Sequence, residues 1–272
     1  MLSKTITELK YSNTNTYLIR GRKGCLLFDT GWAGTFPQLC RVLGDNKLRL
    51  QDVDHLLISH FHPDHMGIAQ DIADCGVTIA IADVQRDFIH SSDGIFAKEK
   101  GSAFKPIDDS AVRVVPLSES RSFLAELGLD GEMIHTPGHS DDSISLWLDR
   151  ERALFVGDLN PLYELEMHKG TPIEESWNRL LSLDPKTVYY GHAKIAELAG
   201  KKSFIKHQSN NTDTYVLVKK IIRLIDKRCD ADVIEKKTGA DPEFIQDVAR
   251  MYVTHPNVSV QGILDRIEIK GR

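Results

Sequence analysis

The chain has 272 residues and a formal charge of −5, enough for one large domain or a domain plus a small appendage, and no global charge argument for nucleic acid or an anionic membrane. Its longest apolar runs, such as Leu56–Ile58 and Val77–Ala82, are far too short to span a bilayer. Met1-Leu2-Ser3-Lys4-Thr5 carries no signal-peptide apolar segment, so the expected compartment is the cytoplasm. Cys25, Cys40, Cys75 and Cys229 are scattered without CxxC spacing and read as small buried hydrophobes, not as a disulfide frame or a thiolate metal site.

Thr16–Arg20 and Cys25–Phe28 are β-prone runs separated by Gly21-Arg22-Lys23-Gly24, which predicts a hairpin. The second run ends in Asp29-Thr30-Gly31-Trp32, where Asp29 is either a turn acid or a carboxylate that orients a metal-binding imidazole. Thr35 to Leu43 has helical spacing, with Thr35 as a candidate cap. His55–Ser59 predicts a strand, and Met66 to about Asp74 a short helix. Between them, Ser59-His60-Phe61-His62-Pro63-Asp64-His65 reads His-x-His-x-Asp-His, four potential metal ligands in six residues on a strand-end loop.

Val77–Ala82 predicts a buried strand, and Asp83 to about Pro106 a helix-plus-loop insertion of the kind that covers sites. Val112–Leu117, Met133–Thr136, Ile144–Leu148, Leu154–Val156 and Thr187–Tyr190 predict further strands. Ser118 to Leu129 is ambiguous, and Ile173–Leu183 predicts a helix opened by Thr171-Pro172. Four strand ends thus offer a potential ligand: His60/His62, His139, Asp158 and His192, the last three directly after a glycine. Ligand sites gather at the carboxyl ends of strands in helix-covered sheets. His55 and His135 read as packed or supporting groups, and His90, His207 and His255 as structural.

The C-terminal stretch differs. Tyr215–Ile225, Asp232–Thr238 and Pro242–Tyr252 have helical spacing, with Gly239 between the last two in a helix-turn-helix outline. Their charges are mixed and form no basic stripe, which favours a helical appendage over a DNA reader. The expected organisation is a main domain over residues 1–205 and a helical extension over 206–272.

His60-x-His62-x-Asp64-His65, Pro137-Gly138-His139-Ser140, Gly157-Asp158 and Gly191-His192, in this order, resemble the metallo-β-lactamase superfamily of hydrolases, and Asp29-Thr30-Gly31 fits the same pattern. The resemblance covers roughly residues 10 to 200. It implies an α/β fold, a four-layer αββα sandwich, here with a small helical C-terminal extension, and a bacterial-type subgroup with a similar tail. It implies two divalent metal ions, zinc with iron or manganese as alternatives. One would take His60, His62 and His139, the other Asp64, His65 and His192, with Asp158 bridging and Asp29 supporting the ligands. The implied activity is hydrolysis of a small ester, thioester or lactone by a hydroxide held between the metals, with Asp64 as the catalytic carboxylate.

His62 stands where the oxygen-reducing diiron branch has Glu, which weighs against an oxygen reductase. Acyl-homoserine-lactone lactonases carry a Tyr three residues after the bridging Asp; here that position is Pro161, and Tyr163 lies two residues later. Tyr163 and His168 are the candidate substrate contacts. The rival readings are a phosphodiesterase or nuclease, a mononuclear-iron persulfide dioxygenase, and a non-enzymatic regulator using the C-terminal helices. The expected partner is a small-molecule substrate, without membrane or nucleic acid; self-association into a homodimer stays open.

Overall fold

The computed structural model describes residues 5–198 and 215–254, together with 260 and 263. The chain divides into two compact units, one of Met1–Pro161 and Met167–Ala199, the other of Leu162–Glu166 and Gly200–Arg272.

The first unit contains two sheets. The six-stranded sheet runs in sequence order: β1 (Ile6–Leu9), β2 (Thr16–Arg20), β3 (Cys25–Phe28), β4 (His55–Leu57), β5 (Thr78–Ala82) and β6 (Val112–Val115). β1 to β3 pair antiparallel and β3 to β6 parallel. The five-stranded sheet has the order β11-β10-β9-β8-β7, formed by β7 (Gly131–His135), β8 (Ile144–Leu148), β9 (Ala153–Phe155), β10 (Thr187–Tyr189) and β11 (Ala196–Glu197).

Side-chain alternation explains why several strands read as unbroken apolar runs. Tyr17, Ile19, Leu26, Phe28, Leu57, Ala80 and Ala82 enter one core with Met133, Ile144, Leu146, Leu148 and Phe155 of the other sheet. Their neighbours Leu18, Leu27, Leu56, Ile58, Ile79 and Ile81 enter a second core on the opposite face, with Leu39, Leu43, Ala69 and Ile72. Leu39 and Leu43 come from α1 (Phe36–Asp45), and Ala69 and Ile72 from α3 (Ala69–Ala73). A strand buried on both faces has no polar side to show. Phe155 joins the sheets: its ring meets Tyr17 at 5.3 Å and Phe28 at 5.5 Å, and stacks on Tyr189 at 4.6 Å. At the second sheet, α6 (Pro172–Ser182) runs past the β7–β8 loop, where Ser176 donates to the Pro137 carbonyl and Arg179 to that of His135. The result is an αββα sandwich.

Several expectations change. β1 is not anticipated by the sequence, and Ser120–Glu126 forms α5 where the sequence is ambiguous. The ligand cluster does not lie wholly on a loop: Asp64 and His65 fall in a helix that starts earlier than expected, α2 (Pro63–Met66), followed by a separate α3. The break is at Gly67, where a Cβ would stand 2.4 Å from the Ala33 nitrogen. Thr35 occupies the N-cap position of α1, but its hydroxyl donates to the Trp32 carbonyl at 2.7 Å and makes no cap hydrogen bond. The insertion holds a 3-10 segment, Asp83–Phe88, and α4 (Asp93–Phe96). Of the cysteines only Cys25 is buried; Cys40 and Cys75 are exposed, since α1 turns Cys40 outward and Cys75 lies in the turn after α3.

In the second unit, residues 215–226 form α7, followed by α8 (Ala231–Thr238) and α9 (Pro242–Thr254). Val218, Ile221, Ile234, Ile245 and Val248 build its core. Gly239 ends α8 at φ +69°, the left-handed conformation that suits glycine at a helix C-terminus. His207 and His255 lie outside the described residues. No helix among the described residues is long and apolar enough to cross a membrane.

Candidate metal centre

β3, β4, β7, β9 and β10 each deliver site residues just beyond their carboxyl ends: Asp29, the His60–His65 segment, His139, Asp158 and His192. The sandwich brings these ends to one edge. There His60, His62 and His139 form one group of converging ligand atoms, Asp64, His65 and His192 a second, and His60, His65 and Asp158 a third. Within each group the atoms lie within 4.8 Å of one another.

The separations are those of a crowded donor set. His139 Nε2 lies 3.0 Å from His62 Nδ1. His192 Nε2 lies 3.0 Å from Asp64 Oδ2 and 3.2 Å from His65 Nε2. Asp158 stands between the groups: its Oδ1 is 3.2 Å from His65 Nε2, and its Oδ2 is 3.4 Å from His192 Nε2 and 3.6 Å from His139 Nε2.

Close packing at two glycines makes this approach feasible. Gly157 adopts φ +53°, and a Cβ there would come within 2.4 Å of Ser59 Oγ. A Cβ on Gly191 would sit 2.5 Å from Asp158 Oδ1 and 2.8 Å from His65 Cε1. A side chain at either position would displace a member of the cluster.

The outward nitrogens of three imidazoles are engaged, which fixes which nitrogen faces the centre. His60 Nδ1 is 3.0 Å from Ser59 Oγ, and His65 Nδ1 is 2.9 Å from Asp29 Oδ2. His192 Nδ1 is 3.0 Å from the Asn13 carbonyl. Asp29 is fully buried and also accepts from the Ser59 amide at 2.6 Å and the Ser59 hydroxyl at 2.8 Å. It adopts φ 62°, a strained conformation for a residue with a side chain.

Protonation follows from the crowding. Burial, reinforced by His65, pushes His60 well below the ordinary imidazole range, and burial lowers His139 as well. Burial raises Asp158, but His65 and His192 outweigh it and hold the carboxyl well below its usual range. Asp64 is lowered in the same way, with His192 and His65 overcoming burial. Burial opposes charge on His192, yet hydrogen bonds to Asp158 and Asp64 push it up to about 10. His65 is likewise raised against burial by Asp29 and Asp158.

This donor set fits divalent metal ions. Imidazoles and ionised carboxylates converge, and His60 Nε2 is buried with no hydrogen-bond partner. A buried polar atom left unpaired is costly, and a cation at the centre would satisfy it.

His55 and His135 are not part of the cluster. His55 packs edge-on against Phe123 at 5.0 Å, and His135 lies 2.8 Å from the Asp141 carbonyl. Tyr163 and His168 belong to a 3-10 segment, Leu162–His168. The side chain of Tyr163 lies outside the described residues, and the His168 carbonyl accepts from the Thr171 hydroxyl at 2.6 Å. Sequence reasoning missed Asn13, Ser59, Gln85 and Asp142, and also Thr14, whose hydroxyl donates to the Asp64 carbonyl at 2.7 Å. Only the polar run Ser12-Asn13-Thr14-Asn15 between two strands signalled any of them.

A sandwich with ligand clusters at one edge defines a metallohydrolase-type scaffold. The family described as the metallo-beta-lactamase superfamily matches residues 10–192, and the chain belongs to it. It is 27% identical over 258 residues to the Beta-lactamase-like protein 2 homolog of Drosophila melanogaster, covering 92% of this chain and 82% of that protein. It is 28% identical over 209 residues to an atrochrysone carboxyl ACP thioesterase of Claviceps purpurea (strain 20.1), covering 74% of this chain and 58% of the thioesterase. A metallo-beta-lactamase family protein of Thermus thermophilus shares the fold, with TM-score 0.54 and 20% identity over 80% of this chain and 83% of that one.

Proposed function

We propose that the protein is a metal-dependent hydrolase of a small acyl substrate, an ester, thioester or lactone. The observation that carries this reading is the pair of ligand groups with Asp158 between them, three of their five imidazoles already oriented from outside. His60, His62 and His139 would hold one divalent ion and Asp64, His65 and His192 the other, with Asp158 shared; zinc is the first choice, iron or manganese the alternatives. Bound there, such ions polarise a carbonyl oxygen and lower the pKa of water toward about 7.

The chain's own part is to place and move protons. Asp64 would accept a proton from the attacking water. As the acyl carbon gains the water oxygen and its bond to the leaving alkoxide or thiolate breaks, the same carboxyl returns that proton to the leaving group. Asp158 and Asp29 hold His65 in orientation.

Two features favour an acyl group over a phosphodiester. The similarity to a thioesterase is one. The other is the part-exposed indole of Trp32, packed on the buried Phe96 beside the ligand segment. Trp32 is 36% exposed, its ring meets Phe96 at 5.4 Å, and Phe96 stacks on Phe104 at 4.0 Å. The backbone at Trp32 and Ala33 runs against Gly67, two residues beyond His65. The test is a parallel assay of p-nitrophenyl acetate, a short acyl thioester and bis-p-nitrophenyl phosphate with zinc-loaded protein. Turnover of the acyl substrates at least about tenfold above the phosphodiester, a difference of roughly 1.4 kcal/mol, is expected. A phosphodiester preference, or no turnover of either acyl substrate, would contradict it.

A further inference from the structure

We propose that the two ligand trios are held by separate clamps, each setting the affinity of one metal position: Gln85 with Asp142 for His60, His62 and His139, and the Asn13-Thr14-Asn15 turn for Asp64, His65 and His192. The inference rests on the metal-binding reading above and adds to it residues that touch no metal.

Each trio draws on both sheets, so its geometry depends on what joins two loops. His60 and His62 leave β4 of the first sheet, while His139 sits between β7 and β8 of the second. Gln85 is fully buried at the first turn after β5. Its Oε1 accepts from the Ala82 amide at 3.0 Å. Its Nε2 faces three carbonyls, Ile58 at 3.0 Å, Ser59 at 3.1 Å and Asp142 at 3.1 Å. One amide therefore ties the strand exit before His60 to the loop after His139. Asp142 completes the tie: its Oδ2 accepts from the Phe61 amide at 2.7 Å, between His60 and His62. The Ile144 amide adds a bond to the Ser59 carbonyl at 2.8 Å. Among the described residues, neither Gln85 nor Asp142 hydrogen-bonds to a side chain of the other trio.

The β1–β2 turn does the corresponding work elsewhere. Thr14 holds the backbone of Asp64, from the first sheet's loop. The Asn13 carbonyl orients His192, from the second sheet. The Asn15 amide donates to the Gly191 carbonyl at 2.7 Å, and its side chain donates to the Tyr190 and Ala193 carbonyls, both at 3.0 Å. These bonds bracket His192 on both sides.

Groups that orient ligands typically change metal affinity by about 10- to 100-fold when removed. Metal-stripped full-length protein titrated with Zn²⁺ by calorimetry against a competing chelator provides the test, with thermal melts alongside. Asp142→Ala should weaken one of the two equivalents about 10- to 100-fold and leave the other unchanged. Asp142→Asn, whose amide oxygen can still accept from Phe61, should restore most of the loss. Thr14→Val, nearly isosteric, should weaken the other equivalent, and Thr14→Ser should rescue it. Backgrounds with one trio broken assign the positions. In His139→Ala, adding Asp142→Ala should change nothing further, while adding Thr14→Val should weaken the metal that remains. The inference is overturned if both equivalents bind Asp142→Ala and Thr14→Val as they bind wild type, or if either change weakens both equivalents alike. A wild-type chain that takes up no metal overturns the hydrolase reading and this inference together. Should Asp142→Ala fail to fold, Asp142→Asn and the Thr14→Val and Thr14→Ser pair, each in wild type and in His139→Ala, decide the matter.

Discussion

Asp158→Ala is expected to keep the fold, bind less metal than wild type and lower kcat by at least about 10²-fold, roughly 3 kcal/mol of transition-state stabilisation. The reason lies in its place between the trios, 3.2 Å from His65, 3.4 Å from His192 and 3.6 Å from His139. A carboxylate has two oxygens and can serve a cation with each; alanine has none. Removing it also takes a negative charge from between two sites for dications, whose mutual repulsion is strongest where water is scarce. The backbone has no reason to move, because Val156 bonds to the Tyr189 carbonyl and Gly191 to the Gly157 carbonyl through main-chain amides. His55→Ala is the control: His55 packs on Phe123 away from the ligand groups, so the change can cost stability without lowering metal content. Elemental analysis, a thermal melt and kcat for both variants check the expectation. Wild-type metal content and turnover in Asp158→Ala would remove the bridging role.

Asp64→Asn is the second large effect. The side chain keeps its shape, and the Thr14 hydroxyl can still hold the backbone carbonyl at this position. The change removes the charge facing His192 at 3.0 Å and the group that would carry the proton between water and leaving group. Losing general acid–base help alone costs about 10²- to 10⁴-fold in rate, so a kcat reduced by at least about 10²-fold is expected. Metal affinity should fall at one position and stay at the other. A leaving group that needs no proton separates the two roles: the loss should be smaller for p-nitrophenyl acetate than for an alkyl ester. Equal losses for both esters would leave Asp64 a ligand without a part in proton transfer.

What the sequence disclosed about this site follows from how local each feature is. Strand ends followed by glycine and a ligand are contiguous, so Gly138-His139, Gly157-Asp158 and Gly191-His192 could be read in place. The apolar strands were equally legible, since burial on both faces leaves a run such as Thr78–Ala82 almost without polar residues. β1 was not, because Ile6-Thr7-Glu8-Leu9 is short and half polar, and becomes a strand by pairing with β2. The supporting polar groups were hidden for a related reason. Thr14 lies 50 residues from Asp64, Phe61 81 residues from Asp142, and Asn13 179 residues from His192. Phe61 meets Asp142, and Asn13 meets His192, only when the two sheets close, and Thr14 meets Asp64 only when the first sheet has formed. Asp29 was legible as an acid at a strand end, yet only the fold decides that it faces His65 and Ser59 and is not an exposed turn residue.

On the proposed reading, two metal ions held by these side chains make the site a hydrolase. A titration of metal-stripped protein with Zn²⁺, following hydrolysis of the preferred acyl substrate and bound metal together, tests it most directly. Negligible activity is expected at zero metal, with recovery as metal is added and an end point at two equivalents per chain. Full activity without metal, or saturation of both binding and turnover at one equivalent, would contradict it.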